Sequence, residues 1–115
     1  MNTRELRLGN YVMVDGEIVK VNGITQHKIG FAPHAYGERY ARSHDVEPVE
    51  LSSDVMKSVS LPTAIFGSIE TIEQDELFHK FKVIIDNKFV VRYLHDFQNV
   101  IFMLTGKELS VNFKE

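Results

Sequence analysis

One stretch constrains the fold more than any other: Tyr93-Leu94-His95-Asp96-Phe97-Gln98-Asn99-Val100-Ile101-Phe102-Met103-Leu104-Thr105-Gly106. It is the only long segment with a clear helical period. At about 100° per residue, Tyr93, Leu94, Phe97, Val100, Ile101 and Leu104 fall on one face. Gly106 is suited to end the helix in a left-handed C′ conformation. A helix apolar on one side has to be covered, and the rest of the chain reads as short strands. The expected fold class is therefore α+β, with this helix packed against sheet.

The preceding chain supplies the strands. Tyr11-Val12-Met13-Val14 is rich in β-formers. Asp15-Gly16 follows, a pair suited to a two-residue type I′ turn because both central residues take φ > 0. Glu17-Ile18-Val19-Lys20-Val21 returns as a second strand, and Asn22-Gly23 repeats the hairpin signal before the chain runs on to Phe31. Two turns so close together predict a small, strongly bent sheet of the SH3-like barrel kind. Residues 32–47 hold no sustained period and read as a long loop with a short strand near Tyr40. Val46 to Leu51 reads as an extended piece closing this lobe. Ser52 or Ser53 caps a short helix through Val59, with Asp54 in its first turn.

The second half reads as hairpin, helix and strand. Ala64-Ile65-Phe66 suggests a short strand. Glu70 to Glu76 carries four acids in seven positions and is expected to be a solvated loop or helical turn. Phe81, Val83 and Ile85 form one apolar parity, Asp86-Asn87-Lys88 turns, and Phe89-Val90-Val91 returns. After Gly106, Leu109 to Phe113 alternates as a strand expected to join that hairpin. The boundaries are therefore an SH3-like lobe over 1–51 and a hairpin-plus-helix lobe over 52–115, as two lobes or one shared core.

Composition excludes several chemistries. At 115 residues, roughly 65% of the unfolded surface can be buried, enough for a core without staples. There is no cysteine, hence no disulfide, thiolate zinc site or cysteine nucleophile, and the composition suits the cytoplasm. No apolar run approaches the roughly 20 residues of a membrane span, and the opening residues lack the apolar block of a signal peptide. The formal net charge of −3 gives no global drive towards nucleic acid or anionic membranes. Its distribution is uneven: residues 1–42 carry six basic and four acidic side chains, and residues 43–115 seven and twelve.

The two ends carry a resemblance. Leu6-Arg7-Leu8-Gly9-Asn10-Tyr11-Val12 with Gly16-Glu17-Ile18-Val19-Lys20-Val21, and the tract from Tyr93 through Gly106-Lys107-Glu108-Leu109, resemble the opening and ending of a family of small uncharacterised proteins. That family comes from phages, prophages and other mobile elements of gut anaerobes. The matching tracts cover about a quarter of the chain. The ending departs from the usual pattern at Asp96, where glutamine is common, and at Met103, where a small residue is common. The resemblance implies a phage or mobile-element origin and a two-part layout; it implies no activity.

Two surfaces are candidates for function. Lys28, Phe31, His34, Tyr36, Arg39, Tyr40 and Arg42 interleave cations with rings over 28–42. Single-stranded nucleic acid is held by such surfaces, through phosphates on the cations and bases stacked on the rings at about 1–3 kcal/mol each. The second is the helix side opposite the apolar stripe, with His95, Asn99, Phe102 and Met103. Either another part of the chain covers Phe102 and Met103, or they meet a second chain, since exposed apolar patches mark interaction sites. A third arrangement, for metal binding or catalysis, is a site assembled by the fold from distant positions such as His34, His44 and Asp45; metal binding by the acidic run over 70–76 is a more remote option. No G-x-S-x-G, HExxH, Gly-rich phosphate loop or dinucleotide fingerprint is present. We therefore assign no catalytic, metal-binding or cofactor-binding residue. The leading expectation is a non-enzymatic accessory protein that binds another protein, or a second copy of itself as a homodimer. The alternative is a single-stranded nucleic-acid module.

Overall fold

A computed structural model describes residues 1–31, 39–60, 69–77 and 79–113. The fold is α+β, with antiparallel sheets and two α-helices among the described residues. The chain divides into two units, Met1–Val49 and Glu50–Glu115. The expected strand Ala64-Ile65-Phe66 lies outside the described residues.

In the first unit, a 3₁₀ turn at Thr3–Glu5 leads into the meander. Asn10 is fully buried, and its Oδ1 accepts the Arg7 N–H at 2.7 Å. Its own carbonyl accepts the Val21 N–H, while Gly9 N–H donates to the Val21 carbonyl, both at 2.8 Å. Gly9 has φ 93°, which favours glycine. Strand β1 (Tyr11–Val14) then pairs with β2 (Glu17–Ile24). Asp15 and Gly16 between them have φ of 52° and 76°, the signs a type I′ turn requires. The sheet continues through β3 (Lys28–Phe31) and β4 (Arg39–Arg42). A 3₁₀ turn at Ser43–Asp45 precedes β5 (Val46–Pro48), which returns to pair with β1. The strand order is β4-β3-β2-β1-β5.

Asn22-Gly23 does not turn the chain. It lies inside β2 as a bulge: Val21 opposes Phe31, but Gly23 opposes Gly30 and Ile24 opposes Ile29. Gly23 is not among the residues of positive φ, so the hairpin geometry that Asn-Gly permits is not adopted. The extra residue shifts the pleat by one position and turns Ile24 towards the core, where it packs. The turn falls two residues later, where the Thr25 N–H donates to the Lys28 carbonyl at 2.9 Å and Thr25 Oγ1 accepts the Lys28 N–H at 3.1 Å. Alternate positions fill the core of this unit: Val12, Val14, Val19, Val21, Ile29, Phe31, Ala41 and Val46, with Leu6.

Near the start of the second unit, Leu51 is fully buried and stitched at both ends. Its N–H donates to the Arg92 carbonyl at 3.0 Å, and its carbonyl accepts the Phe81 N–H at 2.7 Å. Leu51 thus belongs with the hairpin, not with the first lobe. Helix α1 (Ser53–Ser58) is capped by Ser52, whose Oγ accepts the Val55 N–H at 3.3 Å. After β6 (Val59–Ser60) come β7 (Ile69–Asp75), β8 (Lys80–Ile85) and β9 (Phe89–Val91), in that spatial order. The acidic run is therefore a strand, not a loop or helical turn. Its N-terminal neighbour Ile69 opposes Ile85, and Ile72 and Asp75 oppose Lys82 and Lys80. Of the four acids, Asp75 stands opposite a lysine, and the clustered charge blunts an exposed sheet edge. Val83 and Ile85 are fully buried, as the parity predicted, while Phe81 is half-buried.

Helix α2 (Leu94–Thr105) ends at Gly106, with φ 71° and its N–H donating to the Phe102 carbonyl at 2.8 Å. The buried residues are Leu94, His95, Phe97, Gln98 and Ile101. The buried arc is thus rotated by roughly 80° from the expected stripe, at about 100° per residue. Val100 is half-buried and Leu104 is exposed. Strand β10 (Ser110–Val111) pairs with β6 and not with the hairpin as expected. The Asn112 N–H donates to the Ser58 carbonyl at 2.8 Å, which anchors the chain end beside α1. No helix among the described residues is long and apolar enough to cross a membrane.

This orientation of α2 predicts a sharp contrast between neighbours. Phe97→Ala is expected to cost about 3–5 kcal/mol. Met103→Ala is expected to cost about 0.5 kcal/mol or less. Urea denaturation of both variants is the check.

Candidate nucleic-acid interface

The register of β3 and β4 sorts the basic and aromatic residues onto two sides. Lys28 opposes Arg42, Ile29 opposes Ala41, Gly30 opposes Tyr40 and Phe31 opposes Arg39. Ile29, Ala41 and Phe31 are buried in the core. By the period of two, Lys28, Gly30, Tyr40 and Arg42 face outward together. Arg39 shares the parity of Phe31. Its guanidinium sits 4.8 Å from the Phe31 ring centroid, and its Nη2 lies 3.3 Å from Glu17 Oε2. Arg39 is therefore engaged away from the other candidates. His34 and Tyr36 lie outside the described residues.

The same reasoning adds residues that sequence reading treated only as strand. Tyr11 opposes Lys20, and their strand neighbours Val12, Val19 and Val21 are buried. Tyr11 and Lys20 consequently point outward, with Lys20 Nζ 6.0 Å from the Tyr11 ring centroid. The outward positions of β1 to β4 are Tyr11, Met13, Ile18, Lys20, Asn22, Lys28, Gly30, Tyr40 and Arg42. They include three cations and no carboxylate. An outward acid, Glu47, stands opposite Met13 on β5, at the far edge of the sheet. Among the described residues, Lys20, Lys28 and Arg42 make no ion pair.

Tyr40 is 66% exposed and lies over Gly30. A Cβ on Gly30 would sit 3.1 Å from Tyr40 Cε1 and 3.2 Å from Asn22 Oδ1, closer than ordinary contact. Glycine at this position lets the ring and the amide settle on the strand, as an aromatic covers a strand glycine. Beside the ring runs a groove of about 400 Å³, lined by Gly23, Ile24, Thr25, Lys28, Gly30 and Tyr40 among others. A second depression, of about 520 Å³, is bordered by Tyr40 and Arg42 as well as Arg39 and holds Asp15, Glu17 and Asp45, so its own charges offset one another.

The helix surface departs from expectation at its first residue. His95 is 2% exposed and not on the outer side. Its ring stacks on Tyr93, with centroids 6.1 Å apart and planes 15° from parallel, and its Nε2 lies 3.3 Å from Asp96 Oδ1. Asn99 is half-buried. Phe102, Met103 and Leu104 are 39%, 60% and 39% exposed, so the open apolar surface is the last turn of α2 rather than its whole flank. Phe102 follows Gln98 by one turn, on the buried side; it is open because it stands near the helix end.

The third arrangement finds little support in geometry. His44 Nε2 lies 3.5 Å from Asp45 Oδ2, with both side chains mostly exposed, and His34 is outside the described residues. No group of three or more His, Asp or Glu side chains suited to a metal ion occurs among the described residues. No protein-family model, curated protein or solved structure matches the chain.

A shifted charge in the second unit, that of Lys80, is structural. Lys80 Nζ lies 2.8 Å from Glu50 Oε2, and that hydrogen bond and attraction raise the Lys80 pKa above the ordinary 10.5. A raised pKa in the folded state means that the contribution is fully present below pH 10.5 and is lost as pH rises through the folded value. The pair is exposed and solvent-screened, so the effect is small. Glu50→Gln is expected to reduce the alkaline loss of stability that the wild type shows above pH 10.5, as followed by denaturation across pH.

Proposed function

We propose that this chain is a non-enzymatic accessory protein that binds single-stranded nucleic acid on the outward face of β1 to β4. The observation that carries the reading is the register pairing of Lys28 with Arg42 beside the exposed ring of Tyr40, where the outward strand positions of β1 to β4 carry no carboxylate. Cations there are available for phosphates, and Tyr40 offers an aromatic surface to a base. The strand order, with a long bent β2 and a 3₁₀ turn before β5, supports an SH3-like barrel for the first unit. The resemblance of both end tracts supports a phage or mobile-element role, and the absence of cysteine is in keeping with the cytoplasm.

Fluorescence anisotropy with labelled oligo-dT tests this reading. Binding is expected to weaken with salt, with each neutralised phosphate contributing about 0.7 to the logarithmic slope. Lys28→Gln and Arg42→Gln are each expected to lower the slope by about that amount. Arg39→Gln is expected to leave it unchanged, since Arg39 is held by Glu17 and Phe31. Absence of binding at low salt contradicts the proposal.

A second reading rests on the exposed Phe102, Met103 and Leu104. These residues support contact with another protein or a second copy of the chain through the last turn of α2. Light scattering is expected to show a dimer that Phe102→Asp dissociates without unfolding. A monomeric wild type removes self-association.

A further inference from the structure

We infer that the groove beside Tyr40 is a slot for one unstacked nucleobase, so that the ligand is held through a base as well as through its phosphates. The inference rests on the nucleic-acid reading of this face and adds what the face recognises.

Three features of the sheet make the slot. First, the bulge at Asn22-Gly23 brings Gly23 opposite Gly30, so two adjacent strands present no side chain at the same level. A Cβ placed on Gly23 would meet only the Gly30 backbone, at 3.9 Å, so the floor at Gly23 is open backbone, while Gly30 beside it is buried beneath the Tyr40 ring and the Asn22 amide. Second, Tyr40 stands beside that floor with 66% of its surface exposed, a flat wall for a flat ligand. Third, the groove's volume of about 400 Å³ falls within the range of about 300–1,000 Å³ typical of small-molecule pockets.

The polar groups at the rim suit a nucleotide. Lys28 lines the groove, and Arg42 stands directly opposite it across the strands. These two charges, side by side at the strand level next to Gly30 and Tyr40, suit the phosphates adjoining an inserted base. The Asn22 side chain lies 3.2 Å from the Cβ position of Gly30, at the edge of the floor. Its carboxamide has both a donor and an acceptor for a base edge. A base within a duplex is stacked on both faces and cannot enter. The occupant is accordingly a single strand, whose bases are free to splay onto an aromatic side chain.

The experiment compares two strands of equal length on the wild-type protein: oligo-dT, and an abasic strand with the same phosphates. Oligo-dT is expected to bind roughly 5- to 150-fold more tightly, the range of one base–aromatic stack. Tyr40→Ala is expected to remove that difference while keeping the salt dependence, and Tyr40→Phe to retain it. Equal binding of the two strands overturns the base slot and leaves a phosphate-only interface standing. Binding of neither strand at low salt overturns the slot and the nucleic-acid reading together.

Discussion

The first unit depends on backbone register. Asp15 and Gly16 both take positive φ, and that two-residue turn sets Val14 against Glu17 and hence Tyr11 against Lys20. In a strand, a shift of one residue would send every side chain to the other face. The bulge at Asn22-Gly23 makes one such shift within β2. It keeps Val19 and Val21 in the core before it, turns Ile24 inward after it, and leaves two glycines facing each other outside. The hydrophobic core and the cationic outer face are thus consequences of the same register. A mutation that displaced the bulge would disturb both.

Charge follows from this sorting. A chain with a formal net charge of −3 is a poor ligand for nucleic acid as a whole. What counts at short range is the local set of charges, because screening limits exposed charges to about 8–10 Å. On the outward face of β1 to β4 that set is Lys20, Lys28 and Arg42. Arg39 is placed on the other parity with Glu17, although in sequence it sits between the candidates. In the second unit, Asp75 faces Lys80 across β7 and β8, and Lys80 also pairs with Glu50, which gives that hairpin a structural use for these charges.

Much of this was legible beforehand, and the failures have physical causes. The Asp15-Gly16 turn, the Ser52 cap, the Asp86-Asn87 turn and the Gly106 stop were each readable from local chemistry, and each appears. Asn22-Gly23 carries the same dipeptide signal but serves a bulge, because the neighbouring Thr25 supplies a competing turn closure through its hydroxyl. The acidic run does not read as a strand because its clustered like charges hide the strand, and the irregularity in pairing between Glu73 and Asp75 breaks its alternation. The arc of α2 was misjudged because His95 and Gln98 are polar yet buried. Tyr11 and Lys20 were recoverable: a two-residue turn at Asp15-Gly16 pairs them by counting outward. The segregation of Arg39 from Arg42 was likewise a matter of parity, once β4 is recognised as a strand.

The central claim is that the outward face of β2, β3 and β4 is where this chain meets its ligand. Amide chemical-shift mapping of the full chain during titration with oligo-dT tests it most directly. The account predicts that the largest shifts cluster at Asn22 to Thr25, Lys28 to Gly30 and Tyr40 to Arg42. Shifts concentrated at Phe102 to Leu104, or none under low-salt conditions, would contradict it.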